Sequence, residues 1–122
     1  MPLAYNEIGE EKLYKMIDIF YEYVKNDDRI NHLFPDDLTE TAYKQKLFQT
    51  QFLGGPNLYN EKYGHPMLRA RHIPFKVTPA ASEAWLENMN RAILDVGIDE
   101  ELREYLMARY TLTAKHMVNS ED

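Results

Sequence analysis

Apolar residues recur at steps of three or four along nearly all of this chain, and proline or glycine cuts each run. From Glu10 to Lys25, the positions Leu13, Met16, Ile17, Phe20 and Val24 share one helical face, with Tyr21 on its flank. A turn at Asp27-Asp28-Arg29-Ile30 leads to Asn31-His32-Leu33-Phe34 and a break at Pro35. Asp36 or Asp37, with Thr39 as a further candidate, can cap the next helix, which the spacing predicts from about Thr39 to Leu53. Gly54-Gly55-Pro56 ends it. Residues 56–65 read as a loop carrying Tyr59, Tyr63 and Gly64, and Pro66 suits the first turn of a short helix over 66–72. Thr78 caps another helix with Trp85, Met89, Ile93 and Val96 as its stripe before Gly97. Asp99 caps the last, where Leu102, Leu106, Tyr110 and Met117 recur on one side. No segment alternates with period two for long enough to form a strand. The expectation is an all-α fold of five or six unequal helices with a long central loop.

With 122 residues, the chain has room for one domain, residues 1–122, and not for two. The absence of cysteine excludes disulfides, thiolate metal sites and cysteine nucleophiles. No apolar run approaches the roughly 18 residues of a membrane span. The opening Met1-Pro2-Leu3-Ala4-Tyr5-Asn6-Glu7 has no signal-peptide pattern, so a cytoplasmic protein without a membrane partner is expected. A net charge of -6, with no long basic stripe, argues against a nucleic-acid partner. Nine tyrosines and five phenylalanines suit either an aromatic-rich bundle or a core built around something large and flat.

Two features carry chemistry. Thr41, Gln45, Phe48 and Phe52 are spaced four, three and four, so two hydrogen-bonding side chains share a face with two aromatic ones. Either the polar pair lies at the solvent edge, or it forms a polar lid over an apolar pocket. Burying such groups without partners costs about 1–3 kcal/mol each. The second feature is Leu68-Arg69-Ala70-Arg71-His72-Ile73-Pro74-Phe75. Pro74 cannot continue a helix and pushes Ile73 towards an extended conformation, which leaves His72 at a helix end. A histidine there is either a surface group or a ligand. A zinc site wants three or four ligands, and no carboxylate or second histidine has the spacing. Haem iron needs only one axial histidine, because the porphyrin supplies the other nitrogens.

Taken together, these residues resemble a known family. Phe20-Tyr21, Phe34-Pro35, Gly54-Gly55-Pro56, Gly64-His65-Pro66 running on to Leu68-Arg69-Ala70-Arg71-His72-Ile73-Pro74-Phe75, and Ala84-Trp85-Leu86 are similar to the pattern of group II truncated haemoglobins. The likeness runs from about residue 9 to Val118-Asn119-Ser120, with Trp85 standing thirteen residues after His72. The resemblance implies a two-over-two helical sandwich, with an almost absent first helix and a mostly looped proximal segment. It implies haem b (iron protoporphyrin IX) as cofactor and dioxygen or other diatomic molecules as ligands. His72 would then be the proximal ligand of the metal. Tyr21, Gln45 and Trp85 would be distal ligand-binding groups, with Thr41 beside them. Phe34 would pack on the haem face, and Lys44, Tyr59 and Arg71 would reach the propionates. Phe48, Phe52, Leu53, Met89 and Ile93 would complete an apolar shell. The chain departs from many members in having Gln45 where they carry a smaller or apolar residue, and from several in having Phe34 for tyrosine. Its distal hydrogen bonds are therefore expected to be shared among Tyr21, Gln45 and Trp85.

The implied function is reversible dioxygen binding at ferrous iron, for carriage or storage. The alternative is a redox enzyme, a peroxidase or a nitric-oxide dioxygenase served by a separate reductase. A haem-free sensor or scaffold is the third reading, and one absorption spectrum separates it from the others.

Overall fold

A computed structural model describes residues 3–121, without the Arg69 side chain. Its described residues form seven α-helices and no strand: α1 (Ala4–Ile8), α2 (Glu10–Lys25), α3 (Thr39–Phe52), α4 (Leu58–Tyr63), α5 (Leu68–His72), α6 (Pro79–Asp95) and α7 (Glu100–Met117). A 3-10 turn at Asn31–Leu33 links α2 towards α3. Helices α2 and α3 pack on one another, as do α6 and α7, and α2 also lies against α6. This is the two-over-two arrangement, with α4 and α5 strung between the pairs.

The core forms where the periodicity predicts it. Leu13, Met16, Ile17, Phe20 and Val24 are fully buried, against Ala84, Met89, Ala92 and Ile93 of α6 and Leu106 and Tyr110 of α7. Burying one such large apolar side chain stabilises the fold by about 1.5–3 kcal/mol, before entropy is counted. The cap residues act as expected. Thr78 Oγ1 accepts from the Ala81 N–H at 3.1 Å, and Asp99 Oδ1 accepts from the Leu102 N–H at 2.9 Å. Of the candidates before α3, Asp37 is engaged: its carboxylate takes the Thr39 N–H at 3.0 Å, a bond that holds its pKa below the ordinary value.

Three expectations need correcting. Five or six helices become seven, because α1 and α4 are too short to show a period. The segment 56–65 is not a continuous loop, since Leu58–Tyr63 is helical. Tertiary contacts rather than patterning hold α4 in place. Gln51 on α3 accepts from the Asn60 N–H at 2.9 Å and donates to its side-chain oxygen at 3.0 Å. The Tyr59 ring is buried beside Phe48 and Tyr63. The short helix expected over 66–72 starts later, at Leu68, and ends at His72 as expected.

The glycine pair after α3 is explained by α1. The Tyr5 N–H donates to the Leu53 carbonyl at 2.9 Å, which lays the first helix across the end of α3. Gly54 has φ +96, and a Cβ at Gly55 would stand 2.7 Å from the Tyr5 ring and 2.9 Å from the Thr50 carbonyl. Only glycine fits both demands without strain.

Candidate functional site: a cavity between the helix pairs

Helices α2, α3, α6 and α7, closed at one side by α4 and α5, leave a cavity of about 440 Å³. That volume lies within the roughly 300–1,000 Å³ usual for cofactor and small-molecule sites. The proximal, distal and propionate-side residues expected at the site all line it, with Phe34 and Phe48: Tyr21, Thr41, Lys44, Gln45, Tyr59, Arg71, His72 and Trp85. The polar stripe of α3 therefore faces a pocket rather than the solvent edge.

The predicted apolar shell is only partly right. Phe48 and Phe52 line the cavity, whereas Leu53, Met89 and Ile93 do not. Those three are instead buried in the helix core, Met89 and Ile93 completely. An apolar residue at helical spacing serves equally well against another helix, and here the neighbouring helix has claimed them.

His72 is half-buried at the last position of α5. Its Nδ1 lies 2.6 Å from the Leu68 carbonyl one turn earlier. A carbonyl oxygen can only accept, so Nδ1 carries the proton and a neutral ring keeps its lone pair on Nε2. That is the tautomer a metal ligand requires, and the carbonyl fixes the ring's orientation.

A different chemistry lines the α2, α3 and α6 side. The Gln45 amide donates to the Tyr21 hydroxyl at 3.3 Å. Burial pushes the Tyr21 pKa up to about 12, against a smaller lowering by the Gln45 bond. Tyr21 is thus a neutral donor across the whole physiological range. Its ring sits between Phe20 and Phe34, with centroids 4.9 and 5.9 Å away, both edge-on. Trp85 packs edge-on against Phe20 at 5.1 Å and Tyr110 at 5.4 Å, which fixes its indole at the cavity wall.

Cations stand at the rim. Lys44 pairs with Glu40 at 3.1 Å and lies 5.4 Å from the Tyr63 ring centre, while the Arg71 guanidinium stands 6.0 Å from the Tyr59 ring centre. Both contacts are weak and solvent-exposed, so either cation can turn towards an anionic group at the cavity mouth.

Among the wall residues that the sequence does not single out for the site, Gln49 and Tyr110 matter most, because their polar groups are buried and bonded to each other at 2.7 Å. Gln49 lies one turn beyond Gln45 on the stripe already recognised, so spacing alone would have found it. Tyr110 was read as core; its buried hydroxyl needs a partner, which is a signal of the same kind.

The donor set fits a haem. There is one imidazole with an open Nε2, a slot lined by Phe34, Phe48 and Phe52, hydrogen-bond donors elsewhere on the wall, and cations at the rim. It does not fit a bare metal ion. No cluster of three or more histidine or carboxylate side chains suited to one occurs among the described residues.

Comparison with known proteins agrees with this geometry. Residues 3–119 match the model of the bacterial-like globin family. The chain is 53% identical over 118 residues to a group 2 truncated hemoglobin of Bacillus subtilis, covering 97% of this chain and 89% of that one. It is 34% identical over 118 residues to two-on-two hemoglobin-3 of Arabidopsis thaliana, covering 93% of this chain and 67% of that one. Among solved structures it resembles the group II truncated hemoglobin of Bacillus anthracis, with a TM-score of 0.97 at 50% identity over the whole of both chains. The truncated oxygen-avid haemoglobin of Bacillus subtilis superposes with a TM-score of 0.93 at 54% identity, covering 96% of this chain and 99% of that one. The chain belongs to the bacterial-like globins, within the group II truncated haemoglobins.

Proposed function

We propose that this protein is a haem protein that binds dioxygen reversibly at ferrous iron. The observation that carries this reading is one cavity whose wall holds His72, with Nε2 open, together with the donors Tyr21, Gln45 and Trp85. When bound, the haem would supply the iron that holds a diatomic ligand. The residues do the rest. Tyr21, Gln45 and Trp85 donate to the ligand, which favours dioxygen and slows its escape. Phe34 and Phe48 exclude water from the flat apolar slot, and Thr41 adds a hydroxyl at its edge. Lys44, Tyr59 and Arg71 hold the propionates at the mouth.

Haem b is the cofactor proposed, because the chain has no cysteine for covalent haem attachment. The whole chain, residues 1–122, acts as one haem domain in the cytoplasm, without nucleic acid as a partner. No helix among the described residues is long and apolar enough to cross a membrane. A redox role, as peroxidase or nitric-oxide dioxygenase, requires a separate reductase to supply electrons.

The test is direct. The purified protein should show a Soret band and reversible spectral change when the ferrous form is cycled between dioxygen and vacuum. His72→Ala should lose the haem or hold it only with added imidazole. Haem retention with an unchanged iron–histidine vibration in that variant would overturn the assignment.

A further inference from the structure

Four side chains run in one hydrogen-bonded line along the cavity wall. The Tyr110 hydroxyl donates to Gln49 Oε1 at 2.7 Å, and Gln49 Nε2 donates to Gln45 Oε1 at 3.2 Å. Gln45 Nε2 then donates to the Tyr21 hydroxyl at 3.3 Å. Gln49 and Tyr110 are each 2% exposed, so water does not compete for the bond between them. The line joins α7 to α2 through two successive turns of α3.

Such a line has only two consistent polarities, because each amide has one accepting and one donating end. In the polarity observed, Tyr21 accepts from Gln45, and no acceptor among the described residues takes its proton. That proton is free for a ligand in the cavity. With both amides turned over, Tyr21 would donate to Gln45 Oε1 and its proton would be spent. The Tyr110 hydroxyl would then accept from Gln49 and hold the unused proton at its own, more deeply buried end.

We propose that Tyr110 and Gln49 are positioning residues for the ligand, locking the Gln45 amide so that the Tyr21 proton stays available to it. The inference rests on the proposed function, since it assumes that a ligand meets Tyr21. It adds a control that lies on a different helix from Tyr21. Without the Tyr110 hydroxyl, Gln49 Oε1 loses its donor and both amides are free to turn.

The test is Tyr110→Phe, which keeps the ring stacked on Phe52 and edge-on to Trp85. Gln49→Met serves as a second variant of similar volume, in case the first folds poorly. Tyr21→Phe is measured beside them. Dioxygen release should speed up about tenfold in both line variants, the equivalent of one hydrogen bond. The C–O stretch of the carbon monoxide complex should move in the same direction as in Tyr21→Phe. In that complex, the Gln45 side-chain NH2 signals should exchange with solvent faster than in the parent. The double variant Tyr21→Phe/Tyr110→Phe should release dioxygen no faster than Tyr21→Phe alone, because the line acts through Tyr21. Parental release and C–O stretch in both line variants, while Tyr21→Phe shifts both, would overturn the line alone. A silent Tyr21→Phe would overturn the line together with the distal role of Tyr21.

Discussion

The side-chain amide of Asn119 donates to the carbonyl of His72 at 3.2 Å and to that of Phe75 at 2.9 Å. Its Oδ1 accepts from the Val77 N–H at 2.9 Å, and its own N–H donates to the Val77 carbonyl at 3.0 Å. A residue just beyond α7 therefore clamps both sides of the proline turn that follows α5. The turn has few other constraints, since Ile73, Pro74 and Phe75 are exposed. Asn119→Ala should leave the helices intact but loosen the His72 backbone. Haem loss to an excess of a scavenging protein should then speed up about fivefold, the equivalent of one hydrogen bond of about 1 kcal/mol. An unchanged loss rate would show that the clamp does not reach the histidine.

Tyr21, with its pKa pushed up to about 12, yields a pH prediction with two parts. The folded protein keeps this proton at pH 10, so dioxygen release should be flat from about pH 7 to about pH 10. Stability behaves otherwise. Above about pH 10 the unfolded chain sheds a proton that the folded chain retains, so the unfolded state binds fewer protons and stability falls as pH rises towards about 12. Burial raises the Tyr110 pKa too and adds to the same slope. Melting temperature measured against pH should fall less steeply on the alkaline side in Tyr21→Phe than in the parent. Equal slopes would remove the buried phenol as the cause.

Asp27 works in the acid direction. Its carboxylate accepts from the Arg29 side chain at 2.8 and 3.0 Å, from the Arg29 N–H at 3.0 Å, and from buried Asn88 at 3.0 Å. Arg29, opposed by some desolvation and helped by Asn88, holds the carboxyl well below the usual carboxylate range. The stabilisation is present above the unfolded value of about 3.9 and is lost as pH falls towards the folded one. Asp27→Ala should flatten that acid limb. It should also destabilise the protein by about 1–3 kcal/mol at neutral pH, because the Asn88 amide loses its acceptor. Denaturant unfolding at pH 7 and at about pH 2.5, inside the window where the stabilisation is lost, checks both, and a neutral-pH change under about 0.3 kcal/mol would show that water replaces the carboxylate.

How much of this was legible in the sequence depends on the range of each interaction. The buried face of α2, the caps Thr78 and Asp99, and the placing of His72 before Pro74 are local, and all stand in the structure. The stripe Thr41, Gln45, Phe48 and Phe52 was legible as an anomaly, because one helix face held two incompatible polarities. Helices α1 and α4 were not, since five or six residues complete too few turns to display a period. Leu53, Met89 and Ile93 were placed around the cofactor, yet they pack between helices; spacing records that a residue is buried, not against what. The bond between Gln49 and Tyr110 spans 61 positions, and no local pattern encodes it.

The cavity's composition also bears on peroxide. Breaking an O–O bond quickly requires a group that takes a proton from one oxygen and returns it to the other, a service worth about 10²–10⁴-fold in rate. His72 is the only histidine among the lining residues, and its Nδ1 is held by Leu68. Thr41 and Gln45 do not titrate near neutral pH, and Tyr21, at about 12, holds its proton too firmly to relay it. The protein should therefore turn over peroxide slowly, with gradual oxidation of Tyr21 and Trp85, the oxidisable rings nearest the reaction. Thr41→His would place an imidazole on the same helical stripe as Gln45, and peroxide turnover should then rise at least about tenfold. Stopped-flow measurement with an excess of a reducing dye compares the two proteins. A parent that already matched or exceeded the variant, with both aromatic side chains intact by mass spectrometry, would overturn the argument and favour a peroxidase as the protein's role.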